Sequence, residues 1–262
     1  MHFAVVPAKN EQGRIGKVLT MLKKTSIHKI IAVVNGSKDN TFREIKALKI
    51  PNVVILYFKS ELGIDVPRAI GAYTAFREGA EAVLFIDGDM TGPILKNIND
   101  LIAAVENQGV DLALSNCYSS LPYASDLAHR LMSYRKMLNI SLGVYQKIGV
   151  ATPSHGPHAV SRRLMEDVDF SFFAVPPLIL AYAVKKGFKV EVATSLDQSD
   201  LGSKIRGYSH AKKITDTIIG DTLEALNYFN GRPRSRTFDN REFQGYNPYR
   251  RFDLLEKYIS GS

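Results

Sequence analysis

The sequence predicts an α/β fold with a doubly wound, mostly parallel central sheet and helices on both faces. Three observations carry that prediction. Short apolar, β-branched runs recur along the chain, segments with helical spacing of apolar residues separate them, and clusters of polar residues follow the runs directly. A strand covered on both faces reads as a continuous apolar run rather than an alternating one, and alternation of such strands with amphipathic helices favours parallel pairing.

Taken in order, Phe3–Pro7 reads as a strand, followed by a polar turn and by Ile15, Val18, Leu19 and Leu22 at helical spacing. Lys29–Asn35 is the second strand, GSKDNT a loop, Thr41–Leu48 a helix and Val53–Phe58 the third strand. Arg68–Glu78 has helical pattern, Ala82–Ile86 is an apolar run ending in Asp87, and Asp111–Ser115 is a further strand. These elements predict a nucleotide-binding half over residues 1–115. An acceptor half of the same domain is expected over 116–229, with a long helical segment at Ala124–Tyr145, a proline-interrupted helix reaching Val184, and a strand in FKVEVA. A basic, aromatic extension, 230–262, completes the chain, and its Arg-, Pro- and Gly-rich part predicts irregular structure.

At 262 residues with 45% hydrophobic and 23% charged residues, the chain can bury the core of one large domain and does not fit a disordered protein. The longest apolar stretch, Phe170–Val184, is broken by Ser171, Pro176 and Pro177 and is shorter than the roughly 20 residues of a bilayer span. No signal-peptide core precedes Pro7 and Lys9, and the single cysteine, Cys117, suits a reducing compartment, so a cytoplasmic protein is expected. Thirty-four Lys and Arg against 26 Asp and Glu give a net charge of +8, which favours an anionic partner. No nucleic-acid-binding motif accompanies that charge, so nucleic acid is not the expected partner.

Ligands of open α/β sheets bind beyond the carboxyl ends of the strands. Here those ends carry Pro7-Ala8-Lys9-Asn10-Glu11, Asn35-Gly36-Ser37-Lys38-Asp39 and Asp87-Gly88-Asp89, three polar clusters on one sheet edge. Two carboxylates flanking a residue without a side chain suit a hard divalent cation that also holds a diphosphate, and Gly88 permits the turn that brings both to one ligand. An isolated Asp-Gly is equally a surface turn; the apolar strand leading into it points to a site. The first loop lacks the G-x-G-x-x-G of a dinucleotide-dependent oxidoreductase and the glycine-rich stretch of a sugar-phosphate nucleotidyltransferase.

VVPAKNEQGRIGKVL, VVNGSKDNT, VPRAIGAYTA and VLFIDGDMTGP, followed by ILKNINDLIAAVENQGVDLALS, resemble in order and spacing the motifs of glycosyltransferase family 2 and related GT-A enzymes. SHGPHAVSRRLMED resembles the start of the acceptor half. The resemblance implies a GT-A fold and a transferase that moves a sugar from a UDP- or GDP-linked donor to a hydroxyl acceptor, with Mg2+ or Mn2+ bridging the diphosphate. It implies donor-binding roles for Pro7, Asn10, Glu11, Asn35, Asp39, Arg68, Asp87 and Gly88, with Glu11 at the base or ribose and Asp89 on the metal. His210 is the expected further metal ligand, and His155, Gly156 and His158 the expected acceptor contacts.

The chain departs from the family pattern in two places. Asn35 stands where the family usually has Asp, and FFAVPPLILAYA occupies the region that usually supplies an acidic base, with Glu166, Asp167 and Asp169 lying earlier. A non-catalytic nucleotide-sugar-binding or scaffold protein on the same fold is therefore the competing expectation. Arg232, Arg234, Arg236, Arg241, Arg250 and Arg251 alternate with Phe238, Phe243, Tyr246 and Tyr249. That segment is expected to pack beside the acceptor site and recruit a phosphate-bearing or membrane-associated acceptor, with contact between subunits of a homo-oligomer as the rival.

Overall fold

The computed structural model describes residues 1–118, 125–204 and 206–261. Strands β1 (His2–Ala8), β2 (Lys29–Asn35), β3 (Val53–Phe58), β4 (Ala82–Phe85), β5 (Leu112–Asn116), β6 (His158–Ser161) and β7 (Val190–Ser195) form one sheet in the order β3-β2-β1-β4-β6-β5-β7. All neighbours pair in parallel except β6, which runs antiparallel between β4 and β5. This is the mostly parallel sheet that the apolar runs predict. The antiparallel insertion has no sequence signal of its own, because His-Ala-Val-Ser is too short to show a period.

Both faces of the sheet are covered. Phe3, Val5, Ile31, Val33, Val83 and Phe85 point to one side, where they pack with α3 (Val66–Arg77) and α8 (Pro176–Lys185). Ala4, Val6, Ala32, Val34 and Leu84 point to the other, against α1 (Ile15–Leu22) and α4 (Leu95–Gln108). Each large side chain so buried contributes roughly 1.5–3 kcal/mol of transfer free energy, which is why the alternation of faces fixes the register. Gly71 lets α3 lie close on β1, since a Cβ there would fall 2.3 Å from Val5 Cγ1. Helix α2 (Thr41–Ala47) completes the donor half.

In the second half, α5 (Asp126–Ser141) and α6 (Tyr145–Ile148) divide the predicted helical segment, of which Ala124 lies outside the described residues. Helix α7 (Arg162–Asp167) follows β6. Pro176 and Pro177 open α8 instead of interrupting a helix, because proline's missing N–H costs nothing in a first turn; a 3-10 turn at Phe170–Ala174 precedes them. The long helix α9 (Tyr208–Phe229) has no counterpart in the sequence expectations. No helix among the described residues is long and apolar enough to cross a membrane.

After α9 the chain forms a small hairpin, β8 (Thr237–Phe238) and β9 (Arg241–Glu242), a 3-10 turn, and α10 (Phe252–Ser260). Arg232, Arg234, Arg241 and Arg251 are exposed, but Arg236 and Arg250 are buried. Arg236 donates to Asp221 Oδ1 at 2.6 Å, Glu224 Oε1 at 2.9 Å and the Thr217 and Phe243 carbonyls. Arg250, with a side chain 0% exposed, reaches Asp221 at 2.6 and 2.7 Å and Asp65 Oδ2 at 3.1 Å. Helix α10 clasps α3 through hydrogen bonds of 2.9 Å from Tyr73 Oη to the Ile259 carbonyl and between Thr74 Oγ1 and Tyr258 Oη. For these two arginines the expectation of an acceptor-facing basic surface is corrected: each is drawn inward by buried carboxylates, with Asp221 shared between them. Arg250→Met is expected to lower unfolding free energy by roughly 3–5 kcal/mol, because it removes one of the two arginines that answer each of the buried carboxylates Asp65 and Asp221. Urea unfolding measures this, and a loss under about 1 kcal/mol would show that the pairs contribute little.

Candidate functional site

The site is built on the turns that leave β1, β2 and β4. Asn10, in the left-handed region at φ 57°, turns the first loop onto the second: its N–H donates to Ser37 Oγ at 3.0 Å, and its Oδ1 accepts from the Lys38 N–H at 2.8 Å. Asp39 joins the same loops, accepting from the Gln12 and Thr41 N–H groups at 3.0 Å each. Burial alone would raise the Asp39 carboxyl, but the hydrogen bonds from Thr41 and Gln12 outweigh it and hold the carboxyl below its ordinary range. Pro7 contributes its carbonyl, which accepts the Gly88 N–H at 3.0 Å and seats the Asp-Gly-Asp turn against β1.

Asn35 is buried and both ends of its amide are committed. Nδ2 donates to the Gly63 carbonyl at 3.0 Å and Oδ1 accepts from the Leu62 N–H at 2.6 Å. A carboxylate there could accept but not donate, which gives a physical reason for Asn in place of Asp.

Asp87, Gly88 and Asp89 lie directly after β4. Arg68, on the first turn of α3, bridges Asp87 to Asp65 by ion pairs. Burial pushes the Asp87 carboxyl up, and the Arg68 guanidinium opposes that shift. Asp89 Oδ2 accepts from the Lys204 backbone N–H at 3.3 Å and lies 3.8 Å from Arg206 Nη2, which also contacts Glu11 Oε1 at 3.2 Å. Glu11 is 4% exposed, and its Oε2 has no hydrogen-bond partner. Burial first, and the neighbouring Asp89 charge second, push its carboxyl up to about 7 against the pull of Arg206, Lys204 and Arg14. Arg14 ties the assembly together by donating to the Asp89 carbonyl at 3.3 Å and the Gly202 carbonyl at 2.9 Å. Sequence patterns did not single out Arg14, Lys204 or Arg206 as site residues. The one available signal was the basic run after the last strand, whose docking depends on Gly92 and Gly202 meeting across a gap with no room for side chains.

The histidines divide. His210 lies on the first turn of α9 with Nδ1 2.9 Å from Tyr246 Oη, so the structure pairs it with a tyrosine rather than joining it to Asp89. Among the described residues, no group of three or more His, Cys, Asp or Glu is arranged to hold a metal ion. His158, on β6, is buried with its ring stacked on Phe85 at 4.9 Å. His155 packs on Tyr118 at 5.2 Å, and burial followed by arginine charge holds both imidazoles neutral, at about 3. Gly156, at φ 76°, allows this loop to press on Cys117, whose Sγ would lie 2.4 Å from a Cβ there. Glu166, Asp167 and Asp169 do not reach the site. Strand β6 begins beside Phe85 and ends beside Ala82, which carries α7 to the opposite edge of the sheet from Asp87. There Glu166 pairs with Arg162, Asp167 accepts from Tyr182, and Asp169 caps the Ser171 N–H.

Comparison with known proteins agrees with this geometry. A protein of Methanocaldococcus jannaschii of uncharacterized function is 24% identical over 220 residues, spanning 81% of this chain and 94% of that protein. Glucosyl-3-phosphoglycerate synthase from Mycobacterium tuberculosis, solved with UDP, superposes with a TM-score of 0.63 at 18% identity, over 90% of this chain and 82% of that one. The same enzyme with Mn2+, UDP and phosphoglyceric acid gives 0.65 at 18% identity, over 90% and 80%. These likenesses establish the GT-A fold. The glycosyl transferase family 2 profile matches residues 3–168, more than half of the sequence, and the chain belongs to that family of glycosyltransferases.

Proposed function

We propose that the protein transfers a sugar from a UDP- or GDP-linked donor to a hydroxyl acceptor with the help of Mg2+ or Mn2+. The observation that carries this is the convergence of Glu11, Asp87 and Asp89 with Arg68, Arg206 and Lys204 at one sheet edge. Three carboxylates would repel a diphosphate, so the anionic donor needs cations on the protein and one between the two. The oxygen donors of Asp87 and Asp89 suit a hard divalent ion, and Glu11 Oε2 is a further buried oxygen without a partner. Asp87 and Asp89 would hold the ion, with the diphosphate and water completing its shell, as Mg2+ commonly requires. When bound, it offsets the charge that develops on the leaving diphosphate.

The protein's own groups position the donor. Arg68 fixes the Asp87 carboxylate, Arg14 fixes the Asp89 turn, and Arg206 reaches Glu11 and Asp89, where a diphosphate would meet it. The Asn10–Lys38 and Gln12–Asp39 bonds hold the first two loops together as a floor for the nucleoside. Mycobacterial glucosyl-3-phosphoglycerate synthase, captured with Mn2+ and UDP-glucose, supports a donor of this kind. A scaffold without catalysis does not accord with family membership.

Screening nucleotide sugars for slow donor hydrolysis with and without Mn2+ tests the proposal before the acceptor is known. Hydrolysis of at least one donor is expected, dependent on the cation and reduced about 10²–10³-fold in Asp89→Ala. Wild-type turnover by a folded Asp89→Ala protein would overturn the assignment. Glu11 supplies an independent check. Because its folded value is raised, ionising it costs stability as pH climbs from about 4.5 to about 7. Without nucleotide or metal, Glu11→Gln is therefore expected to match wild type near pH 4 and to exceed it near pH 8 by on the order of 3 kcal/mol. Urea unfolding at both pH values reads the difference.

A further inference from the structure

Helix α5 carries a guanidinium that no group among the described residues answers with a hydrogen bond. Arg135 is 0% exposed, yet Nε, Nη1 and Nη2 all lack a hydrogen-bond partner, unlike Arg236 and Arg250 with their buried carboxylates. Among the described residues it faces the Tyr118 ring, whose centroid lies 5.1 Å away. A cation–π contact offsets only part of what an unpaired buried cation costs, and arginine cannot shed its proton to escape that cost.

The loop that meets the same Tyr118 ring through His155 carries unanswered groups of its own. Thr152 Oγ1, Ser154 Oγ and His155 Nε2 are buried without hydrogen-bond partners. Asn139, one turn after Arg135, donates to the Gly149 carbonyl at 2.7 Å and the Ala151 carbonyl at 3.0 Å, and so pins the start of this loop to α5. Arg135 and His155 both lie against the Tyr118 ring, its centroid 5.1 Å from the guanidinium and 5.2 Å from the imidazole, and the chain runs on from His155 to His158, which pairs with Phe85 two residues before Asp87. The cluster therefore borders the donor carboxylates on the acceptor side of the sheet. Several hydrogen-bonding groups without partners around a permanent cation, with no carboxylate among them, form a recess for an anion.

We propose that Arg135, Thr152, Ser154 and His155 bind the phosphate of a small, soluble phosphate-monoester acceptor and aim its hydroxyl at the donor. This rests on the transferase function proposed above. A guanidinium fork takes two phosphate oxygens side by side, and the two hydroxyls serve the remaining oxygen, a set that three phosphate oxygens fill better than the two of a carboxylate. Arg135 is thereby a specificity residue: its charge is uncompensated in the free protein and compensated by the acceptor.

Calorimetric titration of the full chain with inorganic phosphate and with glycerol 3-phosphate, at constant ionic strength, tests this. Wild type is expected to bind both, and Arg135→Met to lose about tenfold or more in affinity, with Arg135→Lys between them. Phosphate-free Arg135→Met should melt no lower than wild type, because the methionine removes an unpaired charge while filling similar space; a structural arginine would give a lower melting temperature. Thr152→Val, which keeps the side chain's shape, provides a second variant with weakened phosphate binding. Equal phosphate affinity in wild type and Arg135→Met, or no binding by wild type, would overturn the proposal. So would phosphate displaced by vesicles containing phosphatidic acid but not by glycerol 3-phosphate. UDP titration, run separately, should be unchanged in Arg135→Met. Loss of UDP binding by wild type would sink the transferase function while leaving the anion result standing.

Discussion

A relay of alternating buried charges links the end of the chain to the Asp-Gly-Asp turn: Arg236, Asp221, Arg250, Asp65, Arg68 and Asp87. None of these carboxylates could be taken out of water alone, and each arginine is shared between two of them. Asp65 is the pivot. It sits in the left-handed region at φ 60° immediately before α3, so one residue both starts the helix that carries Arg68 and receives Arg250 from the C-terminal segment. Position and charge of Asp87 thus depend on residues more than one hundred and thirty positions away, through contacts with little geometric slack.

The two sides of the site follow opposite electrostatic rules. On the donor side the polar groups are largely answered within the protein, and the acceptor atom left over is Glu11 Oε2, with the carboxyl raised to about 7, beside one unpartnered donor, Arg68 Nε, on a guanidinium already paired with Asp65 and Asp87. On the acceptor side what is left over is positive or neutral, at Arg135 and around His155. In the function proposed above, a cation between carboxylates and diphosphate would serve the first side, and an anionic substrate the second. The separation keeps two anionic ligands from meeting without counter-charges between them.

Much of the donor half was legible in the sequence. Lys29–Asn35 and Val53–Phe58 are strands with the predicted bounds, and Asp87-Gly88-Asp89 follows a buried strand as its apolar run implied. Continuous apolar runs suffice there because both sheet faces are covered. The acceptor half was less legible, since β6 is four residues long and pairs antiparallel across 70 or more positions. The C-terminal arginines show the same limit from another direction. Arg236 and Arg251 look alike in sequence, and only Asp221 and Glu224, brought near by α9, decide that one is buried while the other stays at the surface beside Asp253. His210 follows Gly207, Tyr208 and Ser209, a run with no helical signal of its own, and the helix that begins at Tyr208 sets it beside Tyr246.

Asn35 links the donor half to the C-terminal segment. Its amide holds the Leu62 N–H and the Gly63 carbonyl, and the same short segment receives the C-terminal chain: Arg251 donates its N–H to the Leu62 carbonyl at 2.9 Å, and a Cβ on Gly63 would fall 2.3 Å from the Tyr249 carbonyl oxygen. A carboxylate at position 35 would set its oxygen against the Gly63 carbonyl and loosen the seat on which Tyr249 and Arg250 rest. The departure from the family's usual aspartate is therefore tied to the C-terminal segment. The Asn35 side chain answers the backbone that positions Arg250, and through Asp65 and Arg68 it bears on the carboxylate of Asp87.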